Sequence, residues 1–365
     1  MNPPGPLIAE ALSGSWRAAP PAAGLSSEEW TATAPALLRT GAGGLGWWRL
    51  RGSPLASSPF GAELRNAYRL HTVDGRHQEL RLARALQIFA EAGIEPILAK
   101  GWAVARLYPH VGLRPYGDLD LHVSPEAHAT ALALLPECER EGLLVDLHRG
   151  VPKVERPWAD VLARSGQVEL GDTQVRVLGA EDHLALLCAH LLSHGAWRPL
   201  WLCDVALFVE SPPADFDWDR LHGLPLREVE QVRLVVLLAH RLLSARLDRA
   251  PWGPDGRLPG WLPAATLRAW GRGDHYAFNL PIALTEANPR AFLEAVRVRW
   301  PNPIEATVRR RAPYNGFPRL PFQILDATVR GARALAESPR WIARRWRSDP
   351  DDGDDGDQDA PAVPA

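Results

Sequence analysis

Two aspartates separated by a single residue are the first feature of the sequence that could do chemistry. Asp118 and Asp120 open the run Asp-Leu-Asp-Leu-His-Val, in which polar and apolar residues alternate up to Val123. Alternation predicts a half-buried β-strand, and residues i and i+2 of a strand point to the same side, roughly 7 Å apart along the backbone. Two neighbouring carboxylates repel each other unless a cation lies between them, and Mg²⁺ is the usual occupant of an all-oxygen site. The pattern therefore predicts a divalent metal site, and a solvated strand edge is the alternative.

A second alternating run, from Leu143 to His148, adds another carboxylate. Asp146 and His148 fall on one face of this predicted strand, and Val145 and Leu147 fall on the other. By pattern alone, Asp146 fits a third metal-binding carboxylate and a solvated strand residue equally well.

A lysine and a glycine break the chain between a predicted strand, Ile94 to Ala99, and a predicted helix, Trp102 to Tyr108. The basic residues of the chain are almost all arginines, and Lys100 is one of only two lysines. A compact ammonium suits a phosphate group, and Gly101 allows the backbone to approach a ligand closely. Lys100 at this break therefore predicts a phosphate contact, with chance placement as the alternative.

These pieces together carry a resemblance. The segment K-G-W-A-V-A-R-L-Y-P…L-R-P-Y-G-D-L-D-L-H-V resembles the uncharacterised bacterial nucleotidyltransferase family, which lies within the DNA polymerase β-like superfamily. The resemblance covers residues 90–210. It implies an α/β (α+β) fold: a polymerase β-like nucleotidyltransferase core with a short mixed sheet, N-terminal helices and a C-terminal helical region. The sequence departs from the wider superfamily because Lys100-Gly101-Trp102 stands where a Gly-Ser pair is usual.

The resemblance also implies roles for individual residues. The expected metal-binding and catalytic residues are Asp118, Asp120 and Asp146, the last of which would activate the attacking hydroxyl. The expected nucleotide- and phosphate-binding residues are Lys100, Gly101 and Arg114. The residues expected beside the site are His148, His190, His194 and Asp204.

Two of these expectations have alternatives. His190 and His194 are an i,i+4 pair that could hold zinc, but the H-E-x-x-H pattern is absent and no third ligand is apparent. Packing or hydrogen bonding near the nucleotide is therefore favoured. Asp204 lies in an apolar run and needs a partner, which is either an arginine or a polar group of the site.

The expected function is transfer of an NMP from an NTP to an unknown acceptor hydroxyl, with two Mg²⁺ ions. The acceptor is a protein, an RNA or a small molecule. A metal-dependent glycosyltransferase using a nucleotide sugar is a first alternative, although residues 1–90 look helical where that fold needs a nucleotide-binding half. A non-catalytic nucleotide-binding module with the same fold is a second, although all three carboxylates are present.

Composition places broad limits on the chain. With a net charge of −2 over 365 residues, there is no global basic field for nucleic acid. Cys138, Cys188 and Cys203 are too few and too scattered for a disulfide framework. No signal peptide and no long apolar stretch are seen, so we expect a cytoplasmic protein without a membrane span.

The expected organisation has five parts: a disordered N-terminus (1–25), an N-terminal helical region (26–93), the nucleotidyltransferase core (94–180), a C-terminal helical region (181–347) and a disordered acidic tail (348–365). The last arginine-rich helix of the fourth part, Leu320 to Arg347, predicts either packing on the domain or a contact with tRNA, phospholipid or an acidic partner.

Overall fold

The computed structural model describes residues 4–272 and 300–345, with side chains of the last helix described up to residue 333. The chain divides into two compact units, residues 1–273 and 274–365. The site described below lies entirely in the first unit.

A five-stranded mixed sheet forms the centre of the first unit. Its strands are β1 (Ile97–Leu98), β2 (Leu119–Val123), β3 (Val145–Arg149), β4 (Gly166–Leu170) and β5 (Thr173–Val177). Their order across the sheet is β3-β2-β1-β5-β4. The β2–β3 and β1–β5 pairs are parallel, whereas β1–β2 and the β4–β5 hairpin are antiparallel. This arrangement confirms the predicted α/β class with a short mixed sheet.

Helices precede, connect and follow these strands. Those before the sheet are α1 (Pro4–Leu12), α2 (Ser27–Arg39), α3 (Gly43–Leu50) and α4 (Pro59–Glu91). Short helices between strands are α5 (Gly101–Ala105), α6 (His128–Leu132), α7 (Leu135–Arg140) and α8 (Trp158–Arg164). Those after the sheet are α9 (Ala180–Ser193), α10 (Pro199–Glu210), α11 (Leu226–Leu243) and α12 (Trp261–Arg272).

Alternation along β2 determines which face of the sheet packs against the hydrophobic core. Leu119, Leu121 and Val123 are buried in one cluster with Leu82 and Phe89 of α4. Full burial of each such side chain contributes roughly 1.5–3 kcal/mol, so this packing holds β2 in one register. Because the strand period is two, the polar residues between these three must lie on the opposite face.

The predicted disorder of residues 1–25 is wrong over α1, which packs against α12. Ile8, Leu12 and Trp16 are almost completely buried. Ile8 and Leu12 lie one turn apart on the same side of α1, and Trp16 lies in the turn that follows this helix. The Pro, Ala and Gly content of this segment indicated disorder, but these three large apolar side chains supply enough buried surface to order it.

The C-terminal helices do not form the single region predicted for residues 181–347. Helices α9 to α12 belong to the first unit, and the division falls after Gly273. The second unit contains α13 (Pro303–Arg309) and α14 (Leu320–Arg345). The predicted acidic tail, 348–365, lies outside the described residues. Within the described part of the chain, no helix is both long enough and apolar enough to cross a membrane.

Candidate active site

Parallel pairing of β2 with β3 places two Asp-Leu-His segments side by side. Asp120 lies opposite Asp146 and His122 lies opposite His148 in the strand register. Since the apolar residues of β2 occupy the other face, these four side chains share the polar face of the sheet. The two predicted strands and the shared face of Asp146 and His148 are therefore confirmed.

His148 links the two carboxylates. Its Nε2 lies 3.3 Å from Oδ1 of Asp120 and 3.1 Å from Oδ2 of Asp146. Asp120 is only 6% exposed, whereas Asp146 faces solvent. Burial alone would raise the pKa of Asp120, but the hydrogen bond from His148 and the charge of Lys100 outweigh burial and lower it. The site thus combines a buried, ionised carboxylate with one that incoming molecules can reach.

These residues fit a divalent cation. Asp120, Asp146 and His148 each offer one atom that could bind a metal ion, and these three atoms lie within 4.8 Å of one another. Two carboxylates match the oxygen preference of Mg²⁺. The imidazole nitrogen is a poorer magnesium ligand, so its contacts with both acids favour a role in orienting them.

Asp118 is not brought into this group. Strand β2 begins at Leu119, and Asp118 lies one residue before it with an exposed side chain. The metal-capable group found among the described residues does not include Asp118. Its shared face with Asp120 and its role as a metal ligand stay predictions.

Lys100 lies against the buried acid. Its Nζ forms an ion pair with Oδ1 of Asp120, and its side chain is mostly buried. The backbone at Lys100 has φ 56° and ψ −140°, a conformation in which glycine is ordinarily found. The Lys100 N–H donates to Nε2 of His183, 2.9 Å away. This contact from α9 holds the strand–helix break in its strained form.

Gly101 lies beside both aspartates of the D-x-D run. A Cβ at Gly101 would lie 3.6 Å from the carbonyl oxygen of Asp118 and 3.6 Å from Oδ2 of Asp120. The helix it begins, α5, ends at Ala105 and is shorter than the predicted Trp102–Tyr108 segment. A helix of five residues has only a weak dipole. The predicted phosphate contact therefore depends on Lys100 and Gly101 and not on the N-terminus of α5.

Arg114 and Asp204, assigned separate roles from sequence, bind each other. The Asp204 carboxylate is fully buried and accepts from Arg114 Nε at 3.3 Å and Nη2 at 3.0 Å. Tyr108 donates its hydroxyl to the same carboxylate at 2.8 Å. Burial lowers the pKa of Arg114, but the charge of Asp204 outweighs it and the pKa is raised. The arginine alternative for Asp204 is confirmed, and this pairing favours a positioning role for Arg114 over the predicted phosphate contact.

His190 and His194 form an aromatic cluster with Trp201 of α10. The two imidazole centroids are 4.4 Å apart, and the indole lies 4.5 Å from His190 and 5.5 Å from His194. Burial lowers the pKa of His190 to about 2, helped by the charges of Lys100, His194 and Lys153. His190 thus lies within electrostatic reach of the lysine at the site. The metal-capable group found among the described residues does not include this pair.

Three residues near the site were not predicted. His122 stacks on His148 with centroids 4.5 Å apart and donates Nδ1–H to the Gly150 carbonyl at 2.9 Å. Its place two residues after Asp120 on an alternating strand was a usable signal. His183 and Lys153 come from α9 and from the loop after β3, and no local pattern marks them.

Comparison with known proteins adds a family to this geometry. Searches of curated proteins and of solved structures find no match. Residues 26–245 match the model of a family described as uncharacterised nucleotidyltransferase. The match spans β1 to β5 and α9, and so includes every residue of the site described above. As it also covers more than half of the chain, the protein belongs to this nucleotidyltransferase family.

Proposed function

We propose that the protein transfers an NMP from an NTP to an acceptor hydroxyl at the Asp120–Asp146 site. The observation that carries the proposal is the strand register that sets the two carboxylates opposite each other, with an ammonium on the buried one. Family membership supports the same reaction class.

Asp120 and Asp146 would hold the magnesium ions, with Asp118 as a third proposed carboxylate. Two Mg²⁺ ions, when bound, supply positive charge that stabilises the attacking and leaving oxygens of the displacement. His148 orients both acids through its Nε2 contacts.

The exposed carboxylate suits the acceptor. Asp146 faces solvent, so an acceptor hydroxyl can approach it and give up its proton to a carboxylate oxygen. Lys100 neutralises phosphate charge beside the buried Asp120, and Gly101 leaves room for the substrate next to that acid. The acceptor oxygen then takes the place of the departing pyrophosphate on the α-phosphorus.

The test is transfer of label from an NTP. The purified protein is incubated with MgCl₂ and each of ATP, GTP, CTP and UTP, labelled at the α-phosphate. Separate reactions contain protein, RNA and small-molecule acceptors. Label should enter one acceptor class, and NTP labelled at the γ-phosphate should instead release labelled pyrophosphate.

Two variants and one matched control make the test specific to the site. Asp120→Asn and Asp146→Asn should each abolish transfer. Asp172→Asn changes an exposed aspartate in the β4–β5 turn of the same sheet and should leave transfer unchanged. Transfer that survives both site variants would refute the assignment, and NTP binding by wild type without any transfer would favour the non-catalytic module.

The described structure gives the glycosyltransferase alternative less support than the sequence alone did. Residues 4–96 of the described chain contain helices α1 to α4 and no strand. A nucleotide-binding α/β half before the D-x-D run is therefore not present in that segment.

A further inference from the structure

The two lysines of the chain share a backbone peculiarity. Lys100 has φ 56° and Lys153 has φ 69°, and both belong to a small set of non-glycine residues with positive φ. Lys153 lies in the loop that follows β3, close after Gly150, whose carbonyl accepts from His122 of the site. Both lysines thus occupy tight turns next to residues of the site, Lys100 against Asp120 and Lys153 three residues after Gly150.

Helix α9 holds both turns. Near its start, His183 accepts the Lys100 N–H. At its end, Ser193 accepts a hydrogen bond of 2.9 Å from Nζ of Lys153 and donates its own hydroxyl to the His190 carbonyl at 3.0 Å. The loop is fixed a second time by Arg156, whose Nε donates to an α9 carboxylate at 2.8 Å. The Lys153 ammonium is therefore placed by the helix that places Lys100.

The charge on Lys153 is not balanced by an acid. Lys100 pairs with Asp120, but Lys153 forms no ion pair with any carboxylate among the described residues. Burial lowers its pKa, and the nearby charge of Lys100 lowers it further. Both lysines also lower the pKa of His190, which lies between their contacts on α9. Two ammonium groups within mutual reach, one of them unpaired, make a local field that attracts a polyanion.

We propose that Lys153 is a second cationic contact for the NTP, holding the β- and γ-phosphates that leave as pyrophosphate. The inference rests on the proposed nucleotidyl transfer. In that reaction the bond from the α-phosphorus to the bridging oxygen breaks and a bond to the acceptor oxygen forms. The acceptor proton passes to Asp146, and the leaving pyrophosphate carries the electron pair and the negative charge that Lys153 neutralises.

The test compares ligands that do or do not contain the distal phosphates. NTP, the matching NMP and inorganic pyrophosphate are titrated into the full-length protein with MgCl₂, for each of the four nucleotides. Lys153→Asn is the main variant because asparagine tolerates a left-handed backbone, and its melting temperature is compared with that of wild type. NTP and pyrophosphate should bind about tenfold more weakly, the lower end for a charged hydrogen bond, because solvent still reaches part of the Lys153 side chain and screens its charge.

NMP affinity should stay within about twofold of wild type, and Lys153→Arg should restore most of the NTP affinity because it keeps the charge. Arg149→Ala removes an exposed arginine from β3 just before the same loop and serves as the matched control. Unchanged NTP affinity in Lys153→Asn, or equal weakening of NTP and NMP, would overturn the assignment. Wild-type protein that binds neither NTP nor pyrophosphate would overturn the proposed function as well, which makes the two failures distinguishable.

Discussion

Asp204→Asn should destabilise the protein more than any exposed charge substitution. The asparagine keeps the shape of the side chain but removes the negative charge that the Arg114 guanidinium contacts at 3.0–3.3 Å. The side chain of Asp204 is 0% exposed and that of Arg114 is 7% exposed. Water therefore cannot replace the lost partner. Breaking a buried pair by removing one member costs about 3–5 kcal/mol, and we expect a loss of this size.

Urea-induced unfolding of a mutant cycle measures this loss. Replacing both members, as Arg114→Met with Asp204→Asn, leaves no uncompensated buried charge and should cost less than the sum of the two single variants. Glu141→Gln breaks an exposed ion pair with Arg84 and should leave the unfolding midpoint unchanged. A loss below about 1 kcal/mol for Asp204→Asn, or additive costs in the cycle, would refute the view that this pair is a structural anchor.

Three further outcomes are expected. Asp146→Ala should lower the rate of transfer more than it weakens NTP binding, and a titration showing lost affinity at unchanged turnover would contradict its role toward the acceptor. Lys100→Gly and Lys100→Ala both lose the ammonium. The free energy of unfolding should be about 1 kcal/mol higher for the glycine variant than for the alanine variant, because glycine adopts this backbone conformation without strain. The reverse order in urea unfolding would argue against strain at this turn. Burial, together with the charge of Arg106, lowers the pKa of His183 in the folded protein to about 3. As pH falls below about 6.5, His183 therefore gains a proton only in the unfolded chain, and the free energy of unfolding decreases. His183→Gln should flatten this pH dependence by up to about 1.4 kcal/mol per pH unit in the same assay, and an unchanged slope would exclude His183 as its source.

Alternating patterns predicted the sheet well because a strand's period is a local property. Strands β2 and β3 lie where the alternation places them, and Asp146 shares a face with His148. Ends of elements were predicted less well. Strand β2 begins at Leu119, one residue after the start that the alternating run predicts, because hydrogen bonding to neighbouring strands, which the run itself does not contain, sets that boundary.

Ion pairing across the chain was beyond the reach of any local pattern. The sequence shows that Asp204 needs a partner, since it lies among apolar residues, but arginines are so numerous that none is distinguished. Arg114 becomes the partner because α10 packs so that the carboxylate meets both Arg114 and Tyr108. Two residues that the resemblance placed in separate roles therefore form one anchor for the loop that leads into β2.

Helix α9 shows why a site histidine can look like a core histidine. His183 is 3% exposed and packs edge-on against Phe208, so its neighbours in sequence indicate only a buried apolar face. The hydrogen-bond partner of His183 is the main-chain N–H of Lys100, which points toward the imidazole because Lys100 has a positive φ. That backbone conformation is rare for lysine and needs an external hydrogen bond to persist. The strained turn and the buried histidine thus depend on each other, and the same helix fixes Lys153 three turns later through Ser193. The position of both ammonium groups relative to the carboxylates is therefore a property of how α9 docks on the sheet.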